Sequence, residues 1–193
     1  METHQFLKIS RISILLLLVV ITCVCTGCVS LARIDGPYRG KVIDAETKQP
    51  LEGVVVHGTW YTVMGTVGGA SSDWYDSAET LTDKNGEFSI SGQGLLLFTR
   101  IEEMDLTIFK AGYEQFRPNP WSGLKGKWPH DEVIWDGNYP TFRLKKLSME
   151  ERKNRGVTFP TSAPYKKMRL LIIERNKEMV EIGRTNGTLI PVE

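Results

Sequence analysis

The chain has 193 residues, of which 41% are hydrophobic and 24% are charged, and its formal net charge is +1. This composition is that of an ordinary globular protein and excludes an intrinsically disordered chain. The balanced charge also excludes a dedicated nucleic-acid-binding protein, which would carry a marked basic excess.

The N-terminus has the pattern of an export signal. Lys8 and Arg11 precede an apolar run over residues 12–21, which Ser13 interrupts once, and small residues and cysteines follow. The run is shorter than the roughly 20 apolar residues that a permanent membrane helix needs. We therefore predict a cleaved signal peptide over residues 1–27, the alternative being an uncleaved signal anchor.

The signal ends at a cysteine. Residues 25–28, Cys-Thr-Gly-Cys, resemble the lipobox of bacterial lipoproteins, in which a small residue precedes a cysteine that is lipidated and becomes the mature N-terminus. The resemblance implies lipidation at Cys28, with Cys23 as a weaker alternative, and membrane attachment through that anchor. Val29 follows Cys28 directly, whereas an Asp at this position would resemble an inner-membrane retention signal. We therefore expect the anchored protein to lie at the periplasmic face of the outer membrane. No cysteine would then remain for disulfides, and an apolar core must hold the fold.

Short strands dominate the mature chain. After a tether over residues 28–36, we predict a strand over 38–44, a polar bend closed by Pro50, and a second strand over 53–61 in which Val54, Val56 and Trp60 share one face and His57 lies on the other. A hairpin is predicted over residues 82–90, where Asn85-Gly86 suits a tight turn. Further strands are expected over 105–110 and 141–144.

Two segments lack a clear strand pattern. Residues 62–78 are rich in Gly and Ser, and we predict a long connection there. Residues 117–140 combine Pro, Gly and Trp, which favours an irregular insertion. The aromatic side chains of these two segments are the candidate ligand-binding residues Trp74, Tyr75, Trp121, Trp128 and Trp135.

Four landmarks in this order resemble the carboxypeptidase regulatory-like family. They are residues 40–44 with Thr47, Pro50, Leu51, Gly53 and Val54; Thr82 and Asp83 with Gly86, Phe88 and Ile90; residues 110–113, Lys-Ala-Gly-Tyr; and residues 142–144, Phe-Arg-Leu. The resemblance implies a mainly β fold, a transthyretin-like antiparallel β-sandwich, over residues 37–147. It does not imply peptidase activity, because the catalytic domain that names the family needs far more chain.

A helical extension is predicted over residues 148–193. Ser148 and Glu151 have the spacing of a capping box. Over residues 164–182 apolar residues recur at helical spacing, and Glu174 and Glu178 belong to the polar face. We expect this amphipathic α-helix to pack on the sandwich or to cross its open end, the alternative being a helix that binds a partner or a membrane surface.

The sequence does not show the spacings of a catalytic or metal site. His57 and His130 are not spaced as metal ligands, residues 83–86 lack the further ligands of a calcium loop, and a nucleophile elbow does not occur. We therefore expect no enzyme activity, no cofactor and no metal. The first hypothesis is an envelope lipoprotein with a structural or protein-interaction module. The alternative is a module that binds a glycan or small ligand through the aromatic residues named above.

Overall fold

The computed structural model describes residues 30–66, 69–117, 133–159 and 163–192. Strand residues outnumber helical residues in this part of the chain, and the helices follow the last strand. The strands are β1 (Ser30–Asp35), β2 (Tyr38–Asp44), β3 (Val55–Thr66), β4 (Gly69–Leu81), β5 (Glu87–Ile90), β6 (Gly94–Thr99), β7 (Asp105–Phe109), β8 (Val133–Asp136) and β9 (Tyr139–Leu144). The helices are α1 (Met149–Asn154), a 3-10 turn (Tyr165–Lys167) and α2 (Arg169–Glu181).

The strands form two sheets and a separate ribbon. The first sheet has the order β5-β2-β9-β8, the second has the order β4-β3-β7, and β1 pairs with β6 as a two-stranded ribbon. Among the described pairs, β2 and β9 run parallel and the others are antiparallel. The predicted mainly β sandwich with a C-terminal helix is therefore confirmed.

One hydrophobic core lies between the two sheets. Val42 and Phe142 contribute from the first sheet, and Val56, Trp60 and Ile108 contribute from the second, each with at most 2% of its surface exposed. The Phe116 ring meets the Phe142 ring edge-on at 5.1 Å between centroids. The alternation that predicts Val54, Val56 and Trp60 on one face of the second strand is confirmed by their burial.

The second sheet is buried on both faces. On its outer face, Val55 and Phe109 pack against Met168, Leu171 and Ile172 of the C-terminal segment. An uninterrupted apolar run such as residues 54–56 is typical of a strand covered on both sides. The prediction that the amphipathic helix packs on the sandwich is confirmed, although α2 itself begins at Arg169 after the 3-10 turn.

The long connection predicted over residues 62–78 is wrong. The ladder between β3 and β4 continues from the pair Val55↔Leu81 out to the pair Thr66↔Gly69, with a register shift between Trp60 and Tyr61. Continuous antiparallel backbone pairing overrides the weak strand propensity of Gly and Ser in this segment. The insertion predicted over residues 117–140 also ends early, because residues 133–136 form β8; residues 118–132 lie outside the described chain.

The tether predicted over residues 28–36 is wrong from Ser30 onward, because β1 begins there and pairs with β6. Strand β6 is not predicted from the sequence either, since Leu95-Leu96-Leu97 does not alternate with polar residues. The predicted hairpin is half right. The turn forms, with the backbone N–H groups of Asn85 and Glu87 donating to the Asp83 carboxylate, but β4 and β5 belong to different sheets.

Gly86 shows why that turn needs glycine. Its φ is +74°, and a Cβ atom there would lie 2.4 Å from the carbonyl oxygen of Val42. The Gly86 carbonyl in turn accepts a hydrogen bond of 2.8 Å from the Val42 N–H group. The turn therefore fixes β5 against β2 as well as reversing the chain.

The capping box predicted at Ser148 is confirmed. The Ser148 hydroxyl accepts from the backbone N–H of Glu151, and the Glu151 carboxylate accepts from the backbone N–H of Ser148. Within the described ranges, no helix is long and apolar enough to cross a membrane.

Candidate functional site

The structure separates the aromatic residues that the sequence grouped as a candidate ligand site. Trp74 is half-buried on β4, where its indole N–H donates to the Ser77 hydroxyl at 2.9 Å and its ring packs against the apolar cluster beneath α2. Tyr75 is 45% exposed on the same strand, and Trp135 is 46% exposed on β8 of the other sheet. The ring of Trp74 thus packs within the domain.

Three predicted site residues lie outside the described part of the chain. They are Trp121, Trp128 and the candidate lipidation site Cys28. Their assignment stays a prediction. The two candidate rings that are described and exposed, those of Tyr75 and Trp135, lie on different sheets.

A hydroxyl, an imidazole and a carboxylate lie in line on the outer face of the second sheet. The Nε2 atom of His57 is 3.0 Å from the Thr59 hydroxyl oxygen, and its Nδ1 atom is 3.3 Å from the Glu79 carboxylate. Nucleophilic hydrolases use the same order of groups, but in them the imidazole donates a hydrogen bond to the carboxylate. The Nδ1 atom of His57 has no hydrogen-bond partner among the described residues. His57 is 0% exposed and Thr59 is 1% exposed, so a substrate cannot reach the hydroxyl in this structure.

Strand register explains how these groups meet. Alternation puts Val55, His57 and Thr59 on the outer face of β3, and the ladder places Glu79 of β4 directly opposite His57. The sequence correctly indicates that His57 faces away from Val54 and Val56. It does not indicate Glu79, because that pairing depends on the long β3–β4 ladder.

Glu79 holds the beginning of α2. Its two carboxylate oxygens accept the backbone N–H groups of Leu170 at 2.8 Å and of Leu171 at 3.0 Å. Met168, at the N-cap position, offers α2 no side-chain hydrogen bond of its own. A carboxylate at a helix N-terminus satisfies unpaired N–H groups and complements the helix dipole. Glu79 is therefore an anchor for the helix, and His57 and Thr59 lie buried beside it.

Two further carboxylates extend from α2 to the turn after β7. Glu174 accepts the backbone N–H of Ala111 at 2.9 Å, and Glu178 accepts that of Gly112 at 2.8 Å. Arg152 of α1 donates two hydrogen bonds, of 2.9 and 2.6 Å, to the Glu178 carboxylate, and these bonds raise the pKa of Arg152. Glu174 and Glu178, which the sequence places on the polar face, are thus both buried.

Two of the sequence landmarks meet through Asp44. Its carboxylate accepts the backbone N–H groups of Glu46 and Thr47, each at 2.9 Å, and the Tyr113 hydroxyl at 3.1 Å. Hydrogen bonding, led by the Thr47 backbone, lowers the pKa of Asp44. Asp44 thus binds backbone groups within the bend, and its role is to hold the fold.

The ribbon presents a solvent-exposed apolar surface. Four large apolar side chains make up this ribbon surface: Ile34, Leu95, Leu97 and Phe98, which are 78%, 66%, 58% and 72% exposed. Ile34 lies directly opposite Leu95 in the ladder, and Leu97 lies opposite Ala32. The sequence gives a signal for this surface in the run of residues 95–98, Leu-Leu-Leu-Phe.

The contacts at the described sites are hydrogen bonds, ion pairs and apolar packing. Among the residues that the structure describes, three or more His, Cys, Asp or Glu side chains do not come together as a metal site. Comparisons of the chain with protein-family models, curated proteins and solved structures find no match, and the resemblance to the carboxypeptidase regulatory-like family stays a prediction.

Proposed function

We propose that this protein is a non-enzymatic, lipid-anchored envelope lipoprotein whose β-sandwich is a structural or protein-interaction module. The observation that carries the proposal is the position of Cys28. An export-signal pattern ends at Gly27-Cys28, and strand β1 begins two residues later, at Ser30. By analogy with lipoprotein sorting, the anchor holds the sandwich at the periplasmic face of the outer membrane.

The polar clusters of the described chain support a role without catalysis. Glu79 fixes the start of α2, while Glu174 and Glu178 fix the turn at residues 111–112. Asp35, which is 3% exposed, accepts hydrogen bonds from the Tyr38 hydroxyl and the Trp60 indole. These carboxylates bind protein groups, so their hydrogen-bonding capacity is used in holding the fold.

An edge strand supports the protein-interaction role. β8 lies at the edge of the first sheet and exposes Ile134 and Trp135, which are 50% and 46% exposed. An exposed edge strand can pair with another chain, and exposed apolar side chains on it add contact area. A cross-linked pull-down from membranes is expected to recover a consistent envelope protein, and recovery should fall when Trp135 is replaced by Ser.

The anchor is tested by metabolic labelling with an alkyne fatty acid in the bacterium that makes the protein. We expect label on the wild-type protein, loss of label in Cys28→Ala, and retention in the matched control Cys23→Ala. Unchanged labelling of Cys28→Ala would overturn the assignment, and loss in Cys23→Ala alone would move the anchor to that residue.

A further inference from the structure

The ribbon surface is apolar on both of its strands and lies at the N-terminal end of the folded chain. Three of its four side chains, those of Leu95, Leu97 and Phe98, come from β6, and Ile34 comes from β1. Ile34, Leu95 and Leu97 share one face of the ladder, and Phe98 follows Leu97 at the end of β6. Scattered exposed apolar residues are normal, but neighbouring ones on one face of a small sheet mark an interaction surface. A two-stranded sheet is also only marginally stable in water by itself.

The remaining contacts of the ribbon hold it on the sandwich. The Arg33 guanidinium donates to the carbonyl oxygens of Ile101 and Glu102 at 3.0 and 2.6 Å. The buried Asp35 carboxylate accepts the indole N–H of Trp60 at 2.8 Å and the backbone N–H of Gln93 at 2.9 Å. The ribbon is therefore a fixed part of the domain and presents its apolar side chains outward.

Phe98 has an unusual backbone conformation. Its φ is +48°, a region that bulky residues seldom occupy, and the side chain is 72% exposed. Because the ring is not buried in the sandwich, packing does not offset the free-energy cost of this backbone conformation. A functional role for the exposed ring is a physical reason for keeping it.

The predicted anchor residue lies close to this surface along the chain. Cys28 precedes the first residue of β1 by two positions and Ile34 by six. A fully extended chain spans at most about 3.6 Å per residue, so Ile34 lies within roughly 22 Å of the anchoring residue. An acyl chain at Cys28 would insert into the hydrocarbon of the bilayer, and the ribbon is the first described element after that residue.

We propose that the ribbon surface lies in the interfacial layer of the lipid bilayer, so that the sandwich rests on the membrane in one orientation. This inference rests on the proposed lipid anchor at Cys28. Apolar side chains buried in the interface add to the affinity that the acyl chains supply. Arg100, which is exposed two residues after Phe98, carries the positive charge that anionic headgroups attract.

The experiment uses the processed lipoprotein, purified from membranes and reconstituted in vesicles of phosphatidylethanolamine and phosphatidylglycerol. Acylation at Cys28 leaves the mature chain without a free thiol, so one introduced cysteine can carry an environment-sensitive NBD dye. The test position is Leu97→Cys, whose side chain is largely exposed, and spin-labelled phospholipid is the quencher.

The matched control is Asn154→Cys on α1. The ribbon leads into Tyr38 at one end of β2, whereas α1 follows β9, whose Leu144 pairs with Asp44 at the other end of β2. Asn154 is exposed at that far end of the sandwich. A merely tethered domain that tumbles freely would expose both dyes to the quencher equally.

We expect a blue-shifted, lipid-quenched dye at residue 97 and an unshifted, unquenched dye at residue 154. Adding Ile34→Asp to the Leu97→Cys protein should reduce the quenching, because a charge opposes insertion. Equal quenching at both positions, or no quenching at residue 97, would overturn the inference and leave the lipoprotein proposal intact.

Two other outcomes are also informative. A dye at residue 97 that is blue-shifted but not quenched by lipid would show that protein covers the surface, which overturns the membrane assignment. A mass spectrum without an acyl group on Cys28 would overturn the proposed function, and the inference with it.

Discussion

The outer face of the second sheet and the ribbon surface are both apolar, yet only one of them is covered within the described chain. On the outer face, α2 buries Val55 and Phe109 completely, and Glu79 binds the N–H groups at the start of the helix. On the ribbon, Ile34 and Phe98 stay more than two-thirds exposed. Among the described residues, one apolar surface is therefore covered by the chain itself and the other is exposed.

The covered face also shows what burial requires. Helix ends carry unsatisfied backbone groups, and burying them without partners is costly. The sandwich supplies the acceptor at the beginning of α2 through Glu79, and α2 supplies acceptors to the turn at residues 111–112 through Glu174 and Glu178. Exchange of hydrogen bonds in both directions makes α2 an integral layer of the domain.

The largest expected effect on stability comes from truncating a leucine on the covered face, compared with truncating a leucine on the ribbon surface. Leu171→Ala removes a side chain that is 0% exposed and leaves a cavity under α2, so we expect the free energy of unfolding to fall by about 2–5 kcal/mol. The matched control Leu97→Ala on the ribbon should change it by no more than about 0.5 kcal/mol. Urea denaturation followed by circular dichroism measures both. Equal effects would contradict the contrast between the surfaces.

A smaller effect is expected at the polar anchor of the covered face. Glu79→Gln removes the negative charge and one of the two acceptors at the start of α2, and should lower the free energy of unfolding by about 1–3 kcal/mol. The control is Glu52→Gln, at an exposed position. Hydrogen exchange at the amides of residues 170 and 171 should quicken in Glu79→Gln alone. Unchanged exchange there would rule out the anchoring role.

The smallest effect concerns pH and the bend at Asp44. The folded-state pKa of Asp44 is lowered, so its ionised form stabilises the fold at neutral pH, and this contribution is lost as the pH falls below the unfolded-state value of about 3.9. Asp44→Asn should cost about 1 kcal/mol at pH 7 and less at pH 3. Denaturation midpoints at the two pH values measure this. The exposed Asp73→Asn is the control, and a difference that does not depend on pH would contradict the assignment.

Features with a local cause could be predicted from the sequence. The strand at residues 38–44, the turn at Asp83 and Gly86, and the capping box at Ser148 depend on neighbours a few positions away. The ladder over residues 55–81 could not be predicted in the same way, because its Gly- and Ser-rich half has little strand propensity of its own. β1 was missed because its partner β6 lies about 60 residues away.

The same distinction between local and tertiary causes applies to the candidate site residues. A Trp is apolar enough for a core and aromatic enough for a ligand surface, so the sequence could not distinguish the packed Trp74 from the exposed Trp135. The apolar run that ends in Phe98 is visible in the sequence, but its exposure follows from the ribbon to which it belongs.

By itself, the sequence determined the mainly β character of the chain, the amphipathic face of α2 and the turns that glycine and aspartate fix, because each depends on local periodicity or backbone conformation. Only the tertiary structure decided that His57 and Glu79 lie under a helix, that Glu174 and Glu178 bind a distant turn, and that the ribbon surface stays exposed. These contacts join residues far apart in the chain, and burial is a property of the packed layers.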